Sequence, residues 1–163
     1  MRKYFLIFML AATAAWAQKA EIGVTYGTGV FVTAHGNFTT VGAEACLNCQ
    51  ARRAYFLEYD HWGLTPAGGR TSKLNLVAGG LRIQGRNRYV RPFVDLGIGV
   101  GNYEGHPHDF VHKDEDIGIM GFVLGVGVTF SPVKHVYIRP QAKLVWAFDT
   151  AFMQAGVGAG IRF

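Results

Sequence analysis

Eight ionisable residues, Glu44, Glu58, Asp60, Arg82, Asp95, Arg139, Lys143 and Arg162, lie among glycines and apolar residues in proportions that allow mutual neutralisation. Enclosed together, such groups must pair, because an unpaired buried charge loses its hydration without compensation. A second constellation is Cys46-Leu47-Asn48-Cys49. No strand-helix-strand pattern surrounds it, which sets aside a thioredoxin-type dithiol, and no His follows Cys49, which sets aside covalent haem. A disulfide stapling a turn is the reading kept for Cys46 and Cys49, and it implies an oxidising compartment. The third is His106, His108, Asp109, His112, Asp114, Glu115 and Asp116. Imidazoles and carboxylates suit a divalent ion. Their spacing fixes no geometry and Pro107 limits how the first two imidazoles converge, so the segment is read as a hydrated loop and no metal site is assigned.

The elements that must hold these groups show a period of two. Met153, Ala155, Val157, Ala159, Ile161 and Phe163 alternate with Gln154, Gly156, Gly158, Gly160 and Arg162. Such a strand has one apolar face and one small or polar face. The pattern recurs over 136–148, where Val136, Ile138, Ala142, Leu144, Trp146 and Phe148 oppose Tyr137, Arg139, Gln141, Lys143 and Val145. It recurs over 118–130 (Met120 to Phe130 against Ile119, Gly121, Val123, Gly125, Gly127, Thr129) and over 90–101 (Val90, Val94, Leu96, Ile98, Val100 against Arg91, Phe93, Asp95 and glycines). Upstream, Ile22, Val24 and Tyr26 oppose Glu21, Gly23 and Thr25; Val41 and Ala43 oppose Gly42 and Glu44; Tyr55, Leu57 and Tyr59 oppose Ala54, Phe56, Glu58 and Asp60. Over 73–84 the apolar set begins as Leu74, Leu76 and Ala78 and resumes as Leu81 and Ile83, which predicts a bulge at Gly79-Gly80.

These segments make eight antiparallel strands. Short links at 47–50, 85–88 and 131–135 fall on one side, and links near 33–37, 62–72, 103–116 and 149–151 on the other. A closed barrel can face its apolar side inward, as soluble carriers do, or outward to lipid around a polar lumen. Glycine at alternate positions favours the second arrangement, because a narrow barrel needs small residues on its inner wall. An internal echo, Tyr89-Val90-Arg91-Pro92 and Tyr137-Ile138-Arg139-Pro140, opens two strands after short turns, with each Tyr expected in an aromatic girdle.

Composition agrees. The chain has 22 Gly, 12 Phe, 7 Tyr and 3 Trp in 163 residues. Beyond the N-terminus no segment stays apolar for the roughly 18 residues a membrane helix requires. The N-terminus itself has a basic start (Arg2, Lys3), an apolar run (Tyr4 to Leu10) and small residues ending Ala15-Trp16-Ala17. This is the order of a signal peptide cleaved before Gln18, with no Cys there for a lipid anchor. Residues 18–163 are then one domain. Removal of Arg2 and Lys3 from the 16 basic residues leaves all 11 acids, so the excess is modest and scattered, which argues against nucleic acid as a partner.

The run Gly160-Ile161-Arg162-Phe163 resembles the signal by which outer-membrane barrels engage their insertion machinery. Arg91-Pro92-Phe93-Val94-Asp95-Leu96-Gly97-Ile98-Gly99-Val100-Gly101 resembles a central strand of the small porin-family barrels of the OmpA/OmpX type. The resemblance implies an eight-stranded up-and-down transmembrane β-barrel in the bacterial outer membrane. Its partners would be membrane lipid, lipopolysaccharide, the insertion machinery through Phe163, and an external ligand through 62–72 and 103–116. Activity is not implied, since this family includes anchors, adhesins, narrow pores and lipid-modifying enzymes. The lipid-A deacylases of this kind use a His two residues before a Ser, and none of the six His residues here precedes a Ser so. No nucleophile can be assembled, so no catalysis and no cofactor are expected. The expected role is structural, adhesive or that of a narrow pore closed or gated by the eight charges, with a secreted lipocalin-like carrier of a small apolar ligand as the alternative.

Overall fold

A computed structural model of the chain describes residues 20–32, 36–66, 72–104, 117–147 and 150–163. The expected signal segment, the His106–Asp116 cluster and most of the links on the cluster's side lie outside the described residues. The strands are β1 (Glu21–Phe31), β2 (Gly36–Leu47), β3 (Arg53–Pro66), β4 (Ser72–Gln84), β5 (Val90–Glu104), β6 (Ile117–Val133), β7 (Val136–Ala147) and β8 (Thr150–Arg162). Each pairs antiparallel with the next, and β8 returns to β1, closing the sheet into the up-and-down barrel that the alternation predicts. Closure leaves no edge strand, so every ladder group has a neighbour.

Because side chains alternate across a strand, the register decides which residues meet inside. Glu44 lies opposite Glu58, Arg82 opposite Asp95, and Lys143 opposite Gly125 and Gln154. Glycines make room where large lumen groups cross. A Cβ at Gly160 would come within 2.6 Å of the Tyr137 hydroxyl, and one at Gly127 within 2.7 Å of the Phe93 ring.

Three expectations change. β4 is continuous through Gly79 and Gly80 in its pairing with both β3 and β5, with no bulge. Leu74, Leu76 and Ala78 therefore share the inner face with Arg82 and are buried, not turned outward. The apparent phase slip arose because the inner wall is itself apolar in that half of the barrel. The register shift lies instead between β6 and β7, at Phe130/Val133, where Pro132 supplies no amide hydrogen. The strands also run further than expected on the long-link side: β3 carries Trp62 to Pro66, and β5 reaches Glu104. Of the two echoed tyrosines, Tyr89 is exposed at the short-turn end while Tyr137 is fully buried, so the second does not join a girdle.

Candidate functional site: a lumen filled in two layers

The short-turn end and the middle of the lumen are ionic. Glu21, at the start of β1, accepts hydrogen bonds from Arg91 Nη2 (2.6 Å), Arg162 Nε (2.7 Å) and Arg139 Nη2 (2.5 Å). Arg139, with no exposed surface, also donates through Nη1 to Glu44 Oε1 and through Nε to Thr129. Tyr137 donates its hydroxyl to the same Glu44 oxygen at 2.8 Å. Arg82 forks onto Asp95 with two 2.7 Å bonds and stands 3.9 Å from Glu44. Lys143 bridges Asp60 at 2.6 Å and Glu58 at 2.9 Å. The Phe93 ring receives two guanidinium groups, Arg82 at 4.3 Å and Arg139 at 5.4 Å from its centroid. Cation–π attraction thus adds to the pairing.

All eight predicted charges therefore point inward, and two more join them. Glu21 and Arg91 lie on the inward parity of β1 and β5 and complete the balance. Five acids (Glu21, Glu44, Glu58, Asp60, Asp95) meet five bases (Arg82, Arg91, Arg139, Lys143, Arg162). Neutrality matters here, because charges removed from water hold only when paired and hydrogen-bonded.

Toward the long-link end the lumen becomes apolar. Trp62 is fully buried, stacked on Phe38 with ring centroids 4.7 Å apart and planes 2° from parallel, and it meets Phe152 edge-on at 5.2 Å. Leu74, Leu76, Ala78, Val123, Val145 and Ala147 pack around them in one cluster. Between the layers, Gln154 Nε2 donates to Thr40 Oγ1 at 2.7 Å. The sequence reading placed Trp62 in a loop. Extending the inward parity of Ala54, Phe56, Glu58 and Asp60 by one step would have found it.

Cys46 and Cys49 are joined by a disulfide at the β2–β3 turn, with Cα atoms 5.9 Å apart. Asn48 occupies the left-handed region at φ 59°, and Ala51 N–H donates to the Asn48 carbonyl at 2.9 Å. Gln84 Nε2 and Arg91 Nη1 both donate to the Cys49 carbonyl, tying the turn to the lumen. Glu21 and the two sulfurs lie close enough to ligate one ion, but the sulfurs here are spent on each other.

The outer wall is the converse of the lumen. Phe122, Val24, Tyr55, Trp146 and Ile98 are each exposed over more than half their surface, and Leu96, Val126 and Val157 nearly so. On β5 the apolar outer set runs from Val90 to Val100. At the long-link side it gives way to a polar cluster, in which Tyr59 hydroxyl and His61 Nδ1 both bond Asn75 Oδ1 at 2.9 and 2.8 Å. Phe163 lies exposed at the short-turn end, its N–H donating to the Ala20 carbonyl.

No protein-family model matches the chain, and no curated protein does. Solved structures do. The N-terminal β-barrel domain of Pseudomonas aeruginosa OprF is 11% identical with a TM-score of 0.62, covering 90% of this chain and 98% of that one. Neisserial surface protein A (NspA) is 12% identical, TM-score 0.63, covering 88% and 96%. Ail, the attachment invasion locus protein of Yersinia pestis, solved in complex with the heparin analogue sucrose octasulfate, is 16% identical, TM-score 0.61, covering 89% and 97%. At such identities the likeness is one of fold: the chain has the architecture of the small eight-stranded outer-membrane barrels.

Proposed function

We propose that the chain resides in the bacterial outer membrane as a plugged, non-catalytic barrel whose role is structural or adhesive. One observation carries this reading: an apolar outer wall encloses a neutral, ion-paired lumen. In water that arrangement would expose the greasy face and bury the costly one. In lipid it satisfies both, since acyl chains take the outer side chains and the charges pair inside. The Val90–Val100 stretch also has the length of a tilted spanning strand, about 9–11 residues. A soluble lipocalin-like carrier needs an apolar cup inside. Here Lys143 is buried and Val126 and Val157 are outside.

A plug is favoured over a pore because ionic and aromatic layers occupy the lumen in succession. Export through residues 1–17, insertion through the strand ending in Phe163, and contact with lipopolysaccharide belong to the same proposal. So does an external ligand at 62–72 and 103–116. The second of these links carries Glu104, Asp109, Asp114, Glu115 and Asp116 against Lys113 alone. A polyanion of the kind bound to Ail has the wrong charge for it, and a basic partner surface has the right one.

The test is in two steps. The protein should require detergent to stay monodisperse and should migrate differently on gels before and after boiling. Reconstituted in a planar bilayer, it should pass no stepwise current. Monodispersity without detergent would sink membrane residence, and unitary current steps would sink the plug.

A further inference from the structure

We propose that the short-turn mouth of the barrel is a binding site for a phosphate-bearing anion. A cavity of about 550 Å³ lies there, lined by Arg86, Arg88, Arg91, Lys134, His135 and Arg162, with Gln50, Asn87 and Phe163 completing the wall. Arg86, Arg88 and Lys134 are exposed on the β4–β5 and β6–β7 turns, and among the described residues none of them has an ion-pair partner. Arg91 reaches in from the lumen. Its Nη atoms are engaged by Glu21 and the Cys49 carbonyl, but its buried Nε–H has no acceptor. A buried guanidinium with one donor unused, on the wall of a cationic cavity, is matched by an added oxyanion.

The distribution of charge along the barrel axis points the same way. Five of the 11 acids are consumed in the lumen. The other six, Glu104, Asp109, Asp114, Glu115, Asp116 and Asp149, belong in sequence to the end of β5 or to the links 105–116 and 148–149, and none to a short turn. Among the described residues Glu21 is the acid nearest the mouth; it pairs with Arg91 and Arg162 and leaves Arg86, Arg88 and Lys134 without an ion-pair partner. Arginine forks present paired donors to tetrahedral oxyanions, and four arginines with a lysine suit a phosphate better than a single carboxylate. A smaller cavity of about 290 Å³ shares Arg88, Lys134 and Arg162 and continues past Tyr89 and Val133, both of which are exposed. The phosphate can therefore arrive on a soluble molecule through the mouth or on a lipid headgroup from the side.

The experiment uses the folded full-length barrel in an uncharged sugar detergent, with inorganic pyrophosphate titrated by calorimetry. Binding should saturate and weaken as salt is added. Arg86→Ala with Lys134→Ala should lose about a hundredfold or more in affinity, the scale of two charge-assisted hydrogen bonds. Arg52→Ala with Arg53→Ala removes two cations at the same end that do not line the cavity, and should leave affinity within about twofold if the cavity rather than the general field binds. Repeating the titration in phosphatidylglycerol nanodiscs separates the sources. Retained binding assigns a soluble phosphate, and displacement assigns the headgroup. No saturable binding in detergent, or equal losses in both double variants, overturns the site. The measurement needs only a folded barrel, so it stands apart from the outcome of the bilayer recordings.

Discussion

Arg139 concentrates the chemistry of the lumen in one side chain, since among the described residues it alone ion-pairs with both Glu21 and Glu44. Removing it leaves Glu44 facing only Tyr137 and a distant Arg82. Arg139→Ala should cost about 3–5 kcal/mol, the penalty for stranding a buried partner, read as a lower urea midpoint for loss of the unboiled gel band. Deleting both members of a pair is a different change. Arg82→Met with Asp95→Leu removes two charges at once and should cost less than either single substitution. A double variant as costly as the sum of the singles would show that Arg82 and Asp95 are not coupled, and would overturn this expectation. The disulfide closes a four-residue turn, so Cys46→Ser with Cys49→Ser should cost about 2 kcal/mol on the chain-entropy account. Oxidation itself is checked by mass, the native form being two hydrogens lighter than the reduced one. At this scale the charged residues were legible because charge on an alternating strand declares which face is enclosed. Glu21 and Arg91 lay on the correct face yet at strand ends, where a side chain can as easily reach water as a partner. Only the closed register shows them meeting 70 positions apart.

Among the strands, β4 shows where reading by polarity fails and reading by phase succeeds. Polarity assigned Leu74, Leu76 and Ala78 to the outer wall and required a bulge. The unbroken alternation from Leu74 to Gln84 puts them inside with Arg82. A lumen filled by aliphatic and aromatic groups in one half and ions in the other gives both faces of that strand the same character, so local hydropathy has no contrast to use. β5 through β8 carried contrast throughout and were legible, apart from their ends. Strand ends project past the apolar zone, and the residues there follow turn chemistry, not the wall's alternation. The belt itself can be tested by position. Leu96→Arg, at the middle of β5, should cost about 2–4 kcal/mol in a bilayer, and Val136→Arg, at the short-turn rim of β7, about 0–1 kcal/mol. Unfolding in liposomes measures both. A soluble barrel would tolerate either substitution equally, since each side chain would meet water.

For the whole molecule, the two lumen layers act as barriers in series, and this changes what opening the barrel requires. From sequence alone the eight charges were the only visible obstruction. With Trp62 stacked between Phe38 and Phe152 beyond the ions, removing one layer leaves the other intact. An ion that passed a depleted Glu44–Arg139 level would still meet a dry aromatic barrier. One that passed a truncated aromatic layer would meet Lys143 clamped by Glu58 and Asp60. Three proteins separate these cases: Glu44→Ala with Arg139→Ala, which removes charge in a balanced pair; Trp62→Ala with Phe38→Ala; and all four substitutions together. Each is first checked for heat-modifiable mobility, so that only folded barrels are compared. Neither double variant should show stepwise conductance in a planar bilayer, and the quadruple variant should. Current through the ionic double variant alone would mean that the aromatic layer does not seal the lumen. Silence from the quadruple variant would locate the main obstruction at Lys143, and the Lys143→Ala, Glu58→Ala, Asp60→Ala combination added to it should then conduct.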